Sequence, residues 1–334
     1  MKSRITGTAI LLVLALILSA CGAPSEPSAS QSVASPEGRI LTANQAANTV
    51  TVVDVATDRT FGSVATGQQP HHVAATPDGK EFWVTLYGEN RLQVFDAATL
   101  KEIASVDVGA ANDDLMFDPE GKRLYVSLGN DNAVAVVDVA ARKLLQTVPV
   151  GKTPHGLRVT PDGSKLLVTN TAENTMSVLA LQPEVKVEAT ITTGANPFEV
   201  IVSDAGDTAY VSNFLGDSVA VVDLATNKVT GYIRSGKQPA MIALHNNAGA
   251  AQLWVASTGS GEVWVIDPTA RKLITRLATG KGAHGTAITP SGKLYVTNSN
   301  DNSLSVIDLA AQKVLQTIPV GNNPNGIAFL PPAQ

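Results

Sequence analysis

Short apolar runs separated by turn residues fill the chain from residue 38 to its end. Runs such as Val134 to Asp138, Val219 to Asp223 and Leu304 to Asp308 each close on an aspartate. Short apolar runs bounded by turn residues are typical of β-strands, and no stretch shows the 3.6-residue period of an amphipathic helix. The pattern predicts an all-β fold of many short strands.

The same order of runs and turns returns along the chain. Junction glycines mark the repeat at residues 67, 109, 151, 194, 236, 280 and 321, with spacings of 42, 42, 43, 42, 44 and 41 residues. Each unit contains four β runs, and a four-stranded antiparallel unit that repeats at this spacing is the signature of a β-propeller blade. A closed ring of blades buries both faces of each sheet and protects the sheet edges. The repeat therefore predicts a β-propeller.

The two ends of the repeat region are complementary. Six complete units cover residues 68–321, the tail 322–334 supplies only a first run, and residues 38–67 supply the other three runs. These two end pieces, 13 and 30 residues long, together have the length of one repeat. We expect a seven-bladed propeller over residues 38–334, with the last blade closed by both termini.

The first twenty residues have the pattern of an export signal. Lys2 and Arg4 precede an apolar run of ten residues, Ala9 to Leu18, and a bilayer span needs about 20. The only cysteine follows at once in Leu18-Ser19-Ala20-Cys21. This tetrapeptide resembles the bacterial lipobox, whose cysteine is lipidated, and an ordinary secretory signal is the alternative.

Residues 21–37 are rich in Pro, Ser and Ala and lack apolar periodicity. Such a segment cannot bury a core, so we predict a flexible tether after the signal peptide, residues 1–20. The expected product is an exported lipoprotein, anchored to a membrane by lipid on Cys21 and facing the periplasm or the cell exterior.

The charge and the cysteine content limit which partners and cofactors the protein is expected to bind. The net charge is −5, and the balance argues against a phosphate-binding surface, so we do not expect nucleic acid as a partner. One cysteine excludes an internal disulfide and any Cys-rich metal or covalent-haem motif. We expect a monomer.

Part of the repeat resembles a known motif. Residues 295–298 read Tyr-Val-Thr-Asn, and residues 210–213 and 167–170 are close copies. In these motifs, residues 38–334 resemble the YVTN-repeat (YncE-like) β-propeller family of exported bacterial proteins. The units with residues 126–128 and 255–257 lack the Asn. The resemblance implies the propeller fold, and since this family shares no single reaction it implies no particular function.

Most of the candidate functional residues stand at two positions of the repeat. Four residues after each junction glycine stand the members of a first ring, His71, Asp113, His155, Phe198, Ala240, His284 and Asn325. One residue later stand the members of a second ring, His72, Asp114, Gly156, Glu199, Met241, Gly285 and Gly326. Both rings open the predicted innermost strands, so we expect them at one mouth of the central channel.

Imidazole and carboxylate side chains are the ligands that Zn²⁺ and similar ions prefer. We therefore predict a ligand-binding mouth formed by His71, His72, Asp113, Asp114, His155, Glu199 and His284. Within it, His71, Asp113 and His155 are the candidate ligands of a divalent metal such as zinc. The alternative is that these histidines are turn residues that face water.

Three functions remain open on the sequence alone. The first is a binding or scaffolding module that takes a protein or a small molecule at the mouth, without chemistry of its own. The second is a metal- or cofactor-handling propeller, similar to a periplasmic metallochaperone. The third is an enzyme, such as a metal-assisted lyase or a dehydrogenase subunit. The sequence shows no motif of a nucleophile with its base and no redox motif, so we predict no catalytic residue.

Overall fold

The computed structural model describes residues 35–247 and 249–334, and within them 28 β-strands form seven antiparallel sheets of four strands. These sheets are the blades, and they belong to one compact unit, Ser32–Gln334. Within the described ranges no helix combines the length and apolar character needed to cross a membrane. The predicted signal peptide, Cys21 and most of the predicted tether lie outside the described residues.

The strands follow the repeat. Blade 1 contains β1 (Arg39–Asn44), β2 (Thr49–Asp54), β3 (Arg59–Ala65) and the last strand of the chain, β28 (Pro324–Leu330). Blade 2 contains β4 (Pro70–Ala75), β5 (Glu81–Leu86), β6 (Arg91–Asp96) and β7 (Glu102–Asp107). Blade 3 contains β8 (Asn112–Phe117), β9 (Arg123–Leu128), β10 (Ala133–Asp138) and β11 (Lys143–Pro149). Blade 4 contains β12 (Pro154–Val159), β13 (Lys165–Asn170), β14 (Thr175–Ala180) and β15 (Lys186–Thr192).

The remaining blades have the same order. Blade 5 contains β16 (Pro197–Val202), β17 (Thr208–Asn213), β18 (Ser218–Asp223) and β19 (Lys228–Arg234). Blade 6 contains β20 (Pro239–Asn247), β21 (Ala250–Ser257), β22 (Glu262–Asp267) and β23 (Lys272–Ala278). Blade 7 contains β24 (Ala283–Ile288), β25 (Lys293–Asn298), β26 (Ser303–Asp308) and β27 (Lys313–Pro319).

The ring closes through blade 1. Strand β28 pairs antiparallel with β1, with Ile40 opposite Phe329 and Leu41 opposite Ala328. The innermost strand of this blade thus comes from the C-terminal end and the other three from the N-terminal end. The predicted seven blades and their closure by both termini are confirmed.

The apolar core lies between neighbouring blades. Trp83 of blade 2 is fully buried in one cluster with Leu115 and Phe117 of blade 3, and its ring meets that of Phe117 edge-on at 6.0 Å between centroids. The aromatic residues at the equivalent position of other blades, Tyr125, Tyr210, Trp254 and Tyr295, are buried as well. Each of these side chains packs one blade on the next.

The junction glycine and the last residue of the Tyr-Val-Thr-Asn motif form a packing pair. A Cβ atom on Gly280 would lie 2.6 Å from the Cγ atom of Asn298, so only glycine fits there. The Asn298 amide donates to the hydroxyl oxygens of Ser303 and Ser305, at 3.1 and 3.0 Å. The amide therefore ties the second strand to the third, and the close approach explains why glycine and asparagine recur together.

The direction of β1 shows at which end of the channel the chain enters the propeller. Asn44, at the end of β1, lies opposite Pro324, where the innermost strand begins, whereas Arg39 lies opposite Leu330. The innermost strands all begin at the end of the channel that carries the two rings of candidate residues. Residues 35–38 therefore join the propeller at the opposite end of the channel.

Candidate functional site

The innermost strands are irregular where they carry the two rings. In blade 2, Pro70 pairs with Leu86 and Val73 with Val84, and the register shifts between them. His71 and His72 occupy this shift, and such a bulge turns adjacent side chains away from the regular alternation. The same shift occurs between the first two strands of the other blades.

A buried hydroxyl group holds the irregularity in place in blades 2, 3, 4, 5 and 7, whereas blades 1 and 6 carry alanine at this position. The Thr85 hydroxyl accepts the backbone N–H of His72 at 2.8 Å and donates to the backbone carbonyl of Asp113 in the next blade at 2.7 Å. Thr297 in blade 7 makes the same two contacts with Gly285 and Asn325, at 2.6 and 3.0 Å. The hydroxyl residue of the second strand thus fixes the mouth residues of two neighbouring blades relative to each other.

Three candidate ligands from consecutive blades converge at the mouth. His71, Asp113 and His155 each offer one ligand atom, and these atoms all lie within 4.8 Å of one another. We call these three residues the mouth triad. The Nδ1 atom of His71 lies 3.2 Å from a carboxylate oxygen of Asp113, and the His71 and His155 rings meet edge-on at 5.7 Å between centroids.

The triad is buried or half-buried. His71 is 9% and Asp113 5% exposed, so His71 lies inside β4 and is not a turn residue that faces water. Burial raises the pKa of the Asp113 carboxyl to about 6, because removing water disfavours the charged form. Burial, assisted by the neighbouring His71, holds the pKa of His155 well below its usual range. His155 is therefore neutral at neutral pH, which is the form that binds a metal.

The orientation of His155 is set from the next blade. Its Nδ1 atom lies 3.1 Å from the backbone carbonyl oxygen of Phe198. When Nδ1 carries the proton and donates to this carbonyl, Nε2 is left with its lone pair free for a ligand. Metal-binding histidines are commonly oriented by such a hydrogen bond.

The second ring holds a separate pair. The Nδ1 atom of His72 lies 3.1 Å from the Asp114 carboxylate, which also accepts the backbone N–H groups of Leu115 and Leu157 at 2.8 and 2.9 Å. Burial lowers the pKa of His72, although Asp114 opposes the shift. A Cβ atom on Gly326 would lie 2.5 Å from the Cα atom of His72, so glycine at this position makes room for the pair. The structure thus places His72 and Asp114 beside the triad and not in it.

Glu199 is the most deeply buried acid of the two rings, and it faces an arginine that the sequence analysis missed. Glu199 is 2% exposed, and burial raises its pKa to about 8. The guanidinium of Arg158 lies 3.9 Å from the carboxyl group. The repeat could have revealed Arg158, because the equivalent residues of the other blades are all uncharged: Ala74, Met116, Ile201, Ala243, Ala287 and Ala328.

His284 lies against an aromatic residue instead of the triad. Its ring meets Phe198 edge-on at 5.4 Å between centroids, and burial lowers its pKa to about 3. The ring centroid of Phe198 also lies 3.9 Å from that of His155 and 5.4 Å from that of Phe214, on which it stacks. Phe198 thus contacts both histidines, and His284 remains close enough to the triad for the charge of His71 to lower its pKa further. His245, the remaining histidine, lies near the far end of β20 opposite Gln252.

The polar loop residues around the mouth are already engaged. The side-chain oxygen of Asn132 accepts the backbone N–H of Thr153 at 2.9 Å, and Asn302 accepts that of Asn323 at the same distance. Glu89 accepts the N–H of Gln68 at 2.6 Å. These contacts tie one loop to the next.

Comparisons with known proteins agree with this architecture. Residues 22–244, about two thirds of the chain, match the family model described as lactonase, 7-bladed beta-propeller. No protein of curated function matches the sequence.

Solved structures match over most of the chain. A functionally unknown protein from Desulfotomaculum acetoxidans DSM 771 superposes with a TM-score of 0.77 at 16% identity, over 88% of this chain and 99% of that one. A candidate 6-phosphogluconolactonase from Bacteroides fragilis NCTC 9343 superposes with a TM-score of 0.71 at 16% identity, over 90% of this chain and 99% of that one. Hydrazine synthase from Kuenenia stuttgartiensis superposes with a TM-score of 0.71 at 19% identity, over 79% of this chain and 90% of that one. At these identities the likeness shows the fold alone.

Proposed function

This chain belongs to the seven-bladed β-propeller lactonase family, and we propose that it acts at the mouth of the propeller channel. It binds a divalent transition metal there through His71, Asp113 and His155. One observation carries the proposal. Three side chains of metal-ligand type, from three consecutive blades, offer ligand atoms within 4.8 Å of one another.

The chemistry of the triad suits a transition metal. Two neutral imidazoles and one carboxylate are a ligand set used for Zn²⁺ and Fe²⁺, and three protein ligands leave coordination positions open. A bound cation would also offset the cost of burying the Asp113 carboxylate. The open positions make the site a binding site for a further ligand, so this proposal joins the metal-handling and the ligand-binding functions that the sequence suggested.

Hydrolysis of a cyclic ester is the second candidate function. Family membership favours it, and a metal with an open position can activate water for attack on a carbonyl carbon. A pH-stat assay on a simple lactone, with metal-loaded and metal-depleted protein side by side, tests it. Metal-dependent acid release supports a metal-dependent lactonase, and a rate equal to spontaneous hydrolysis in both samples leaves the protein as a binding module.

The proposed setting is the cell envelope. We retain the lipidated Cys21, the export signal and membership of the YVTN-repeat group as proposals. Residues 35–38 join the propeller at the channel end opposite the triad, so an anchor attached through them leaves the mouth accessible to ligands.

Titration calorimetry of metal-stripped protein with Zn²⁺ tests the metal site. We expect one dominant site, and the double variant His71→Ala/His155→Ala should weaken it by more than about 100-fold, since residues that merely orient a metal ligand contribute about 10–100-fold. His245→Ala is the matched control, because His245 lies at the far end of β20, and it should bind as the wild type does. No heat of binding, or equal binding by the double variant, would overturn the proposal.

A further inference from the structure

Five rings form a continuous row across the mouth. Centroids lie 5.8 Å apart for Tyr87 and His71, 5.7 Å for His71 and His155, 3.9 Å for His155 and Phe198, and 5.4 Å for Phe198 and Phe214. Two of the three triad residues therefore stand in the middle of an aromatic surface, which we call the ring row. It is built from strands and loops of blades 2, 4 and 5.

We propose that the ring row recognises a small planar aromatic carboxylate, whose carboxylate completes the coordination of the metal held by the mouth triad. This inference rests on the proposed metal site and names the ligand class of that site. The metal supplies the attraction for the carboxylate oxygens, and the flanking rings supply flat apolar surface for the body of the ligand.

The accessibility of the row supports a ligand role. Tyr87 is 41% exposed, and Phe198 and Phe214 are partly exposed. The aromatic residues that pack one blade on the next are buried instead, as Trp83 and Trp254 show. Exposed large apolar side chains grouped beside a polar site are typical of a ligand-binding surface.

The geometry of the row favours a flat ligand over a sugar-like one. Phe198 and Phe214 stack with 29° between their planes, and a further ring can extend such an offset stack at the usual separations of about 4.5–7 Å. A polyhydroxylated ligand would instead need free hydrogen-bonding groups around the mouth. Loop side chains that could serve, such as Asn132 and Asn302, already accept backbone N–H groups.

Benzoate and cyclohexanecarboxylate form a matched pair of probes, because they carry the same charge and differ in planarity. We expect calorimetry on zinc-loaded protein to give benzoate an affinity about fivefold or more above that of cyclohexanecarboxylate, as one aromatic pair contributes beyond its buried area. Phe214→Leu and Tyr87→Leu, each measured after saturation with zinc, should reduce this preference. Tyr232→Leu, on the outer strand β19, is the control and should leave the preference unchanged.

The possible failures are distinguishable. If zinc binds but benzoate does not, or if the two carboxylates bind equally, the inference is overturned and the metal site stands. Unchanged benzoate preference in both Phe214→Leu and Tyr87→Leu has the same consequence. If zinc itself does not bind, the proposed function and this inference both fall.

Discussion

Lys293 of blade 7 places its ammonium group 2.7 Å from the carboxylate of Asp58 in blade 1. The Tyr295 hydroxyl donates to the same carboxylate, and Lys293 also donates to the backbone carbonyl of Val55 at 3.0 Å. These contacts cross the junction where the N-terminal strands meet the rest of the ring. Arg142 of blade 3 and Glu81 of blade 2 make the equivalent contact at 2.6 Å with the charges exchanged, so the position serves as a link between blades with either polarity.

Breaking this link should weaken ring closure. Lys293→Met leaves the partly buried Asp58 carboxylate without its cation, and we expect the free energy of unfolding to fall by about 1–3 kcal/mol, between the values for exposed and buried pairs. Urea denaturation measures it. Lys313→Met, on the exposed outer strand β27, is the control and should change little. Equal stability of both variants would show that the link does not contribute.

Removing β28 should affect the whole propeller. Deletion of residues 322–334 takes the innermost strand from blade 1 and leaves the backbone of β1 unpaired beside the channel. We expect loss of cooperative thermal unfolding or aggregation, followed by circular dichroism and light scattering. A shorter deletion of residues 331–334 keeps β28 and should melt cooperatively. A full deletion that melts like the intact chain would contradict closure by this strand.

The buried hydroxyl groups give a test that separates stability from metal binding. Thr85→Val leaves the N–H of His72 and the carbonyl of Asp113 without their partner, so we expect a loss of about 1–3 kcal/mol in stability. It should also weaken zinc binding by about tenfold, because it releases the backbone that positions two triad residues. Thr297→Val removes the same contacts far from the triad.

The comparison of these two variants decides the role of Thr85. Thr297→Val should destabilise the protein by a similar amount while zinc affinity stays at the wild-type value. If both variants, measured well below their melting temperatures, lose zinc affinity equally, Thr85 contributes only to general stability.

The anchor proposal has its own measurement. If Cys21 is lipidated, Cys21→Ser expressed in a bacterial host should move the protein from the membrane fraction to the soluble fraction, or leave its signal peptide uncleaved. Several acyl chains are needed for stable attachment, and a serine cannot carry the thioether-linked lipid. Fractionation and immunoblotting follow the distribution. Membrane attachment of a variant whose signal peptide is still cleaved would contradict the lipobox prediction.

The sequence predicts the repeated parts of this molecule better than the irregular ones. Equal spacing of the junction glycines is enough to place His71, Asp113 and His155 at one mouth, because equivalent positions in a ring surround the same axis. Spacing cannot tell that His72 pairs with Asp114 outside the triad, since this depends on how the bulge turns two adjacent side chains. The ring row was also missed. Tyr87 and Phe214 take the same position in loops of equal length, but the other blades carry no aromatic residue there, so the repeat gives no signal for it.

His284 should make the metal-free protein sensitive to acid. Burial lowers its pKa from an ordinary value near 6.5 to about 3, so the unfolded chain binds a proton at pH 4–6 that the folded protein does not. For a base with a lowered pKa, stability is complete above about pH 6.5 and falls as the pH drops towards the folded value. The loss from this residue should approach about 3 kcal/mol by pH 4, at about 1.4 kcal/mol for each unit between the two pKa values.

The variant His284→Phe isolates this contribution, because it removes the titrating group and keeps an aromatic ring against Phe198. When the pH is lowered from 7 to 4, we expect the free energy of unfolding to fall more in the wild type than in the variant. Urea denaturation at several pH values, with a chelator present, measures the difference. The buried histidines His72 and His155, whose pKa values are lowered too, are present in both proteins. The burial that dominates their shifts is common to both, and only the smaller coulombic effect of His284 on His155 differs. A difference that stays constant with pH would mean that His284 can take up a proton in the folded protein, and hence that water reaches it beside Phe198.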